Sequence, residues 1–231
     1  MKLCVVGCER SGTSAISTLI SISSGLSLLD DPPISWYIYP LVHLHGRGFP
    51  LKLLINIQRY NIIKIPGFAT ILTELKKIQF GKFKVIYVLR DPRDNVASIL
   101  ERLNQDYNGL FINVHWLGIK PKDEIEALAW RWRRYLELSM QFQLHYPSLI
   151  KYIRYEDFLV NKIETLKHIA HFCGINMNIN KIINKLNIQY KKSWSTQIFG
   201  AGRYKKDLTN KQIQIINNIC YEHMKQWGYM K

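Results

Sequence analysis

Short apolar runs alternate with stretches of helical spacing along most of the chain. The first run, Leu3 to Val6, has the composition of a strand buried on both faces. A loop from Gly7 to Gly12 follows, after which Ile16, Leu19 and Ile20 recur at helical spacing. Gly25 and the cluster Asp30-Asp31-Pro32-Pro33 mark a break. Residues 34–50 are aromatic and irregular, with Trp36, Tyr37, Tyr39, His43 and His45 ahead of Gly46, Gly48 and Pro50. A loop of this kind on a rigid scaffold makes a natural ligand-binding wall. Leu51 to Arg59 has the pattern of a short helix, and Ile62 to Pro66 reads as a strand ended by proline. Phe68 to Ile78 then returns to helical spacing.

Lys84 to Leu89 is the strongest buried strand in the pattern. It runs into Arg90-Asp91-Pro92-Arg93-Asp94 and a helix that extends to about Leu103. Asp91 suits the N-cap, Pro92 the first helical position, and Asp94 complements the positive helix end. On that helix Val96, Ile99, Leu100 and Leu103 form the apolar stripe, with Ser98 near the opposite side. Gln105 to Lys122 is irregular. Asp123 starts a long amphipathic helix with a core face of Ile125, Leu128, Ala129, Trp132, Leu136 and Ser139. Arg131, Arg133 and Arg134 fall on the other face, read as a solvated basic face with a substrate-binding strip as the alternative. Leu149 to Arg154 is a further strand, and Lys162 to Cys173 a helix stopped by Gly174. A short helix near Ile179–Leu186 precedes an aromatic, basic loop from Tyr190 to Asp207. The last helix starts at Thr209, with Gln212 completing a capping box, and packs Ile213, Ile216, Cys220, Met224 and Trp227. Strands alternating with helices predict the α/β class, a parallel sheet covered by helices on both faces. Right-handed crossovers put the loops after Val6 and after Leu89 on the same sheet edge.

Composition narrows the class. At 231 residues and 47% apolar, the chain fits one α/β domain over residues 1–231. No window approaches the roughly 18 uninterrupted apolar residues of a membrane span. A first strand at Leu3 leaves no room for a signal peptide, so cytoplasmic residence is expected. Cys4, Cys8, Cys173 and Cys220 show no CxxC or zinc spacing and read as free thiols. Cys8 reads as a small residue in a tight turn, with a redox-sensitive thiol as the sharper alternative. No metal site is expected. The formal charge of +15 favours anionic partners, an anionic acceptor among them. No recognised nucleic-acid motif is present, so nucleic acid is not an expected partner.

Strand, glycine loop and helix start together form a phosphate cradle, because unpartnered N–H groups and the helix dipole face the anion. Gly7 and Gly12 have the spacing of the ATP/GTP loop GxxxxGK[ST], but Thr13 stands where that motif has lysine. The positive charge lies within the loop, at Arg10. Such a loop is poor machinery for splitting a triphosphate and good machinery for holding a nucleotide phosphate near a transferable anionic group. On the second strand–loop–helix unit, Arg90 ends the strand and Ser98 lies eight positions on. A charged fork and a hydroxyl so placed can clamp one phosphate.

Arg10-Ser11-Gly12-Thr13-Ser14, opening a helix after a buried strand, resembles the 5′-phosphosulfate loop of sulfotransferases that use 3′-phosphoadenosine 5′-phosphosulfate (PAPS). The stretch YVLRDPRDNVAS around Arg90 and Ser98 resembles their 3′-phosphate motif. Three further stretches are similar to that family: Lys64-Ile65-Pro66 at a strand end, the RYED segment at Arg154–Asp157, and Gly202–Thr209 with the ending Trp227-Gly228-Tyr229. The last is closer to the bacterial-type and tyrosylprotein-type branches. The cytosolic steroid and phenol branch has lysine at the place of Arg10 and an RKG-type closing loop, where this chain has Gly-Arg-Tyr.

The resemblance implies a three-layer P-loop-like fold and transfer of a sulfuryl group from PAPS to an acceptor hydroxyl or amine. The product nucleotide is adenosine 3′,5′-bisphosphate (PAP), and no metal is required. It implies nucleotide binding by Arg10, Ser11, Gly12, Thr13, Ser14, Arg90, Ser98, Arg203 and Tyr204. Arg10, Lys64 and Asp31 are the implied catalytic residues. Asp31 is the first candidate for the base, with His43 and His45 as the others. Trp36, Tyr37, Tyr39 and Trp116 can line an acceptor pocket, and glycan, lipid, peptide and small molecule all stay open. A degenerate P-loop nucleotide kinase and a non-catalytic nucleotide- or polyanion-binding module are the competing readings.

Overall fold

A computed structural model describes residues 2–33, 35–45, 59–77, 82–103, 113–187 and 200–230. Five parallel strands form one sheet: β1 (Lys2–Val6), β2 (Leu28–Asp30), β3 (Ile62–Lys64), β4 (Phe83–Leu89) and β5 (Ile150–Arg154). Their order is β2-β3-β1-β4-β5, with β1 central. Val5 pairs with Lys64 and Ile86, and Asp30 with Lys64, so the carboxyl ends of β1, β2, β3 and β4 share one edge. The connection leaving β1 runs to one side of the sheet and that leaving β4 to the other. This creates the crevice in which α/β sheets bind ligands.

Ten α-helices are described: α1 (Thr13–Ser24), α2 (Ser35–His45), α3 (Leu72–Lys77), α4 (Pro92–Leu103), α5 (Glu124–His145), α6 (Tyr155–Val160), α7 (Lys162–Cys173), α8 (Ile179–Asn187), α9 (Tyr204–Asp207) and α10 (Asn210–Gln226). Alternation along the strands divides the core into two layers. Cys4 and Val6 of β1 join Val85, Tyr87 and Leu89 of β4 against α2, α3, α5 and α10. Leu3 and Val5 join Ile86 and Val88 against α1, α7 and α8. The predicted three-layer α/β arrangement is the one observed.

Several boundaries match the pattern closely. Asp123 caps α5 by accepting from the Glu126 N–H, and Gly174 ends α7 in the left-handed region. Thr209 and Gln212 form the expected capping box. Asp91 Oδ1 accepts from the Arg93 N–H at 2.9 Å at the start of α4.

Other expectations are corrected. The stretch expected to be irregular from residue 34 begins as helix α2, because Ser35 bonds back to Asp31 and Pro32 and winds the chain, while Ile38, Tyr39 and Val42 are buried. Pro40 sits inside that helix. The break at residues 25–33 contains β2, a three-residue strand paired with β3. The helix expected from Phe68 is divided into a short 3-10 segment, Pro66–Thr70, and α3. Within Gln105–Lys122 a short turn covers His115–Leu117, and the loop expected up to Asp207 closes with α9. The helix expected over Leu51–Arg59 falls almost wholly outside the described residues, as do residues 104–112 and 188–199.

Candidate active site

The loop between β1 and α1 is shaped from beneath. Gly7 has φ 148°, and a Cβ there would come within 2.4 Å of the Val88 carbonyl oxygen, so only glycine lets β1 pass this close to β4. Gly12 caps α1 at φ 94°, with a would-be Cβ 2.3 Å from the Tyr155 ring. Among the described residues no side chain caps the start of α1, and no acidic residue lies in its first turn. An uncapped helix start of this kind favours an anion.

Carbonyls in the loop are claimed by the second unit. Asn95, fully buried on α4, donates from Nδ2 to the Glu9 carbonyl at 2.6 Å and to Ser11 Oγ at 3.1 Å. Arg90 donates from Nη1 to the Arg10 carbonyl at 2.9 Å. Arg10 itself takes φ 66°, the left-handed region, and donates from Nε to Ser98 Oγ at 3.2 Å. The structure thus brings Arg10, Ser11, Arg90 and Ser98 together. Thr13 is buried and Ser14 half-buried at the start of α1.

Ser98 corrects one expectation. Instead of facing away from the core with a free hydroxyl, it is 1% exposed and receives the Arg10 guanidinium. Arg90 is 2% exposed, with its guanidinium carbon 5.1 Å from the Tyr155 ring centre. Its Nε and Nη2 meet no hydrogen-bond acceptor among the described residues. Buried donors without acceptors are costly, which makes this guanidinium a candidate anion contact.

Across the crevice, Lys64 Nζ lies 3.1 Å from Asp30 Oδ1 and 3.4 Å from Asp31 Oδ2. Asp31 is positioned by a left-handed φ of 42°, by its N–H donating to the Lys64 carbonyl, and by Ser35 Oγ donating to Oδ1 at 3.0 Å. Burial raises its carboxyl above the ordinary range, outweighing the opposite pull of Lys64 and Ser35. Lys64 and Asp31, predicted separately, are therefore one ion pair. His43 lies further along α2, exposed, with its ring 5.1 Å from that of Trp116. The His45 side chain lies outside the described residues.

Arg203 and Tyr204 reach this region through Asp94. Its carboxylate, at the start of α4, accepts from the Gly202 N–H at 2.6 Å and the Tyr204 N–H at 2.9 Å. Arg203 pairs with Glu101 at 3.1 Å and Asp207 at 2.6 Å, and Arg93 stacks over the Tyr204 ring at 4.3 Å. Glu156 of the RYED segment accepts from the Asp91 N–H and from Tyr229 OH, tying the carboxyl-terminal end of the described chain to the β4–α4 turn.

Glu9, Asn95, Arg131 and Tyr135 were not among the predicted site residues. Arg131 corrects the expected solvated face of α5: it is 1% exposed and forks onto Glu9 from Nε at 2.9 Å and Nη2 at 2.8 Å. Spacing gave the one local hint of burial, since it lies three after Leu128 and four before Tyr135, both fully buried, but the Glu9 partner left no signal in the sequence. Tyr39, a candidate for the acceptor wall, is buried against Gly67 and points its hydroxyl at Glu9. Cys8 is buried, and burial, followed by the neighbouring Glu9 carboxylate, pushes its thiol well above the ordinary value. This matches the small-residue reading. Among the described residues no group of three or more His, Cys, Asp or Glu is placed to hold a metal ion. No described helix is long and apolar enough to cross a membrane.

A parallel sheet whose first strand leads through a glycine loop into a helix start defines the P-loop-like class of phosphate-binding α/β proteins. Within that class, the chain belongs to the sulfotransferase domain family, whose model matches residues 1–228. Solved structures agree in fold. A mouse sulfotransferase complexed with PAP superposes with a TM-score of 0.61 at 17% identity, over 96% of this chain and 84% of the other. A Mycobacterium avium sulfotransferase gives 0.58 at 14% identity, over 97% and 76%. A sulfotransferase domain from the curacin biosynthetic pathway gives 0.57 at 13% identity, over 96% of both chains. Comparison with curated proteins gives no match.

Proposed function

We propose that the protein transfers the sulfuryl group of PAPS to an acceptor hydroxyl or amine and releases PAP. The observation that carries this reading is the buried Arg90 guanidinium. Two of its nitrogens lack acceptors among the described residues, and a third is bonded to the glycine loop that opens α1. Two anion sites braced against each other suit a nucleotide that carries a phosphate at each end. Support also comes from the solved relatives complexed with PAP, the mouse sulfotransferase and a retinol dehydratase.

In this reading Arg10, Ser11, Gly12, Thr13 and Ser14 hold the 5′ end, with the first-turn amides of α1 pointing at it. Arg90 and Ser98 grip the 3′-phosphate with a charged fork and a hydroxyl. Arg203 and Tyr204 belong to the same binding set, brought to α4 by Asp94. PAPS supplies an activated sulfuryl group whose departure leaves negative charge on the bridging oxygen. Arg10 stabilises that charge as a fixed cation, more in the transition state than before it. Asp31 takes the acceptor proton, and its raised carboxyl makes it a better base than an ordinary carboxylate. Lys64 orients Asp31 and adds positive charge from the β3 side.

Radiolabelled PAPS incubated with an acceptor panel tests the reading. Label transferred to an acceptor, with loss of transfer in Arg10→Ala, is the expected result. Magnesium-dependent ATP consumption without transfer from PAPS would instead favour the kinase reading.

A further inference from the structure

Glu9 directly precedes the loop arginine, yet its side chain turns into the core and is 6% exposed. The carboxylate accepts both arms of the Arg131 fork, the Tyr135 hydroxyl at 3.0 Å and the Tyr39 hydroxyl at 3.4 Å. Its backbone carbonyl is held separately by Asn95. Residue 9 is therefore fixed at two points, immediately before Arg10 enters the left-handed region, a conformation that non-glycine residues keep only when their surroundings impose it.

We propose that Glu9 and Arg131 are a positioning pair: together they set the course of the phosphate loop, and with it the direction of Arg10 and of the loop amides at the 5′ end of the nucleotide. Neither side chain meets the nucleotide. Stability alone does not account for the pair, since well-packed apolar side chains often replace a buried ion pair without loss. What a bidentate fork adds is direction. Tyr39 comes from α2, close to Asp31, and Arg131 from α5, so the pair ties the acceptor side of the crevice to the loop.

The inference rests on the nucleotide reading above and is tested by binding alone, with two probes. PAP carries both phosphates, whereas adenosine 3′-monophosphate lacks the one at the 5′ end. Calorimetry on wild type and on the double variant Glu9→Gln/Arg131→Met gives the affinity advantage of PAP over the monophosphate. We expect the double variant to lose that advantage by about tenfold, on the scale of displacing a site group by a fraction of an ångström, with monophosphate affinity unchanged. Arg131→Lys keeps the charge and loses the fork, and serves if the double variant does not fold. A smaller loss in the same direction is expected there. An unchanged ratio in a folded variant overturns the inference alone. A wild type that binds neither nucleotide overturns the nucleotide reading, and the inference falls with it.

Discussion

Arg90 donates from Nη1 to the backbone carbonyl of Arg10 across a separation of eighty positions in sequence. One guanidinium thus holds the first loop with one nitrogen, while two others, without acceptors among the described residues, face the proposed phosphate. Removing it undoes both tasks.

Arg90→Ala should weaken PAP binding by about 1.5–3 kcal/mol, the range for a charge-assisted hydrogen bond, or roughly 10- to 150-fold. Arg90→Lys should recover only part of this, because an ammonium cannot reproduce the fork. Titration calorimetry of PAP measures both, and wild-type affinity in Arg90→Ala would contradict the assignment.

Arg10→Ala should act on turnover more than on affinity. Loss of one donor aimed at developing charge lowers turnover by about 10²-fold or more. The backbone amides of the loop persist in the variant, so the change in PAP affinity should be the smaller of the two. Steady-state rates beside calorimetry separate these effects.

Asp31 sets a pH expectation. As the proposed base it must be ionised, and burial moves its titration upward from the ordinary 3.8. Activity should therefore fall with decreasing pH while still above 3.8. Asp31→Asn should remove that acid limb and lower turnover by roughly 10²- to 10⁴-fold. An acid limb retained in Asp31→Asn would transfer the role to another group.

Gly7→Ala should destabilise the fold. The new methyl meets a backbone carbonyl oxygen, which cannot swing aside as a side-chain tip would, and the left-handed φ adds strain. A loss of at least about 1–3 kcal/mol is expected from the backbone conformation alone, read as a lowered melting temperature.

Cys8 should resist alkylation in the folded protein at neutral pH. Its thiol is buried and held protonated, and the thiolate is the reactive form. Denaturant should expose it. Mass spectrometry of iodoacetamide-treated protein distinguishes the two states.

Much of this architecture was legible in the sequence because it depends on local signals. The apolar runs at Leu3–Val6 and Lys84–Leu89 announce the central strands, and Asp123, Gly174 and Thr209 announce their helix ends. That Arg10 and Arg90 lie close together could be anticipated because each sits at a fixed offset from a strand or glycine. Features decided by distant partners were not legible. Helix α2 has weak amphipathicity and an internal Pro40, and it forms because Ile38, Tyr39 and Val42 find the core. Strand β2 is three residues long and exists through pairing with β3. Arg131 looks like any helical arginine until Glu9, 122 positions away, is placed beside it. Ser98 was misassigned for a related reason: the apolar stripe of α4 identifies the side facing the sheet, but a second buried side faces the loop.

Asn95 and Arg90 join the two turns of the crevice through the carbonyls of Glu9 and Arg10. Neither turn can shift without dragging its neighbour, so on the proposed reading the separation between the two anion positions is a dimension of the protein itself. The chain would then work as a gauge, admitting a nucleotide for the distance between its phosphates as well as for their number. An isomer with its second phosphate at the wrong ribose oxygen would offer the same charge at the wrong span.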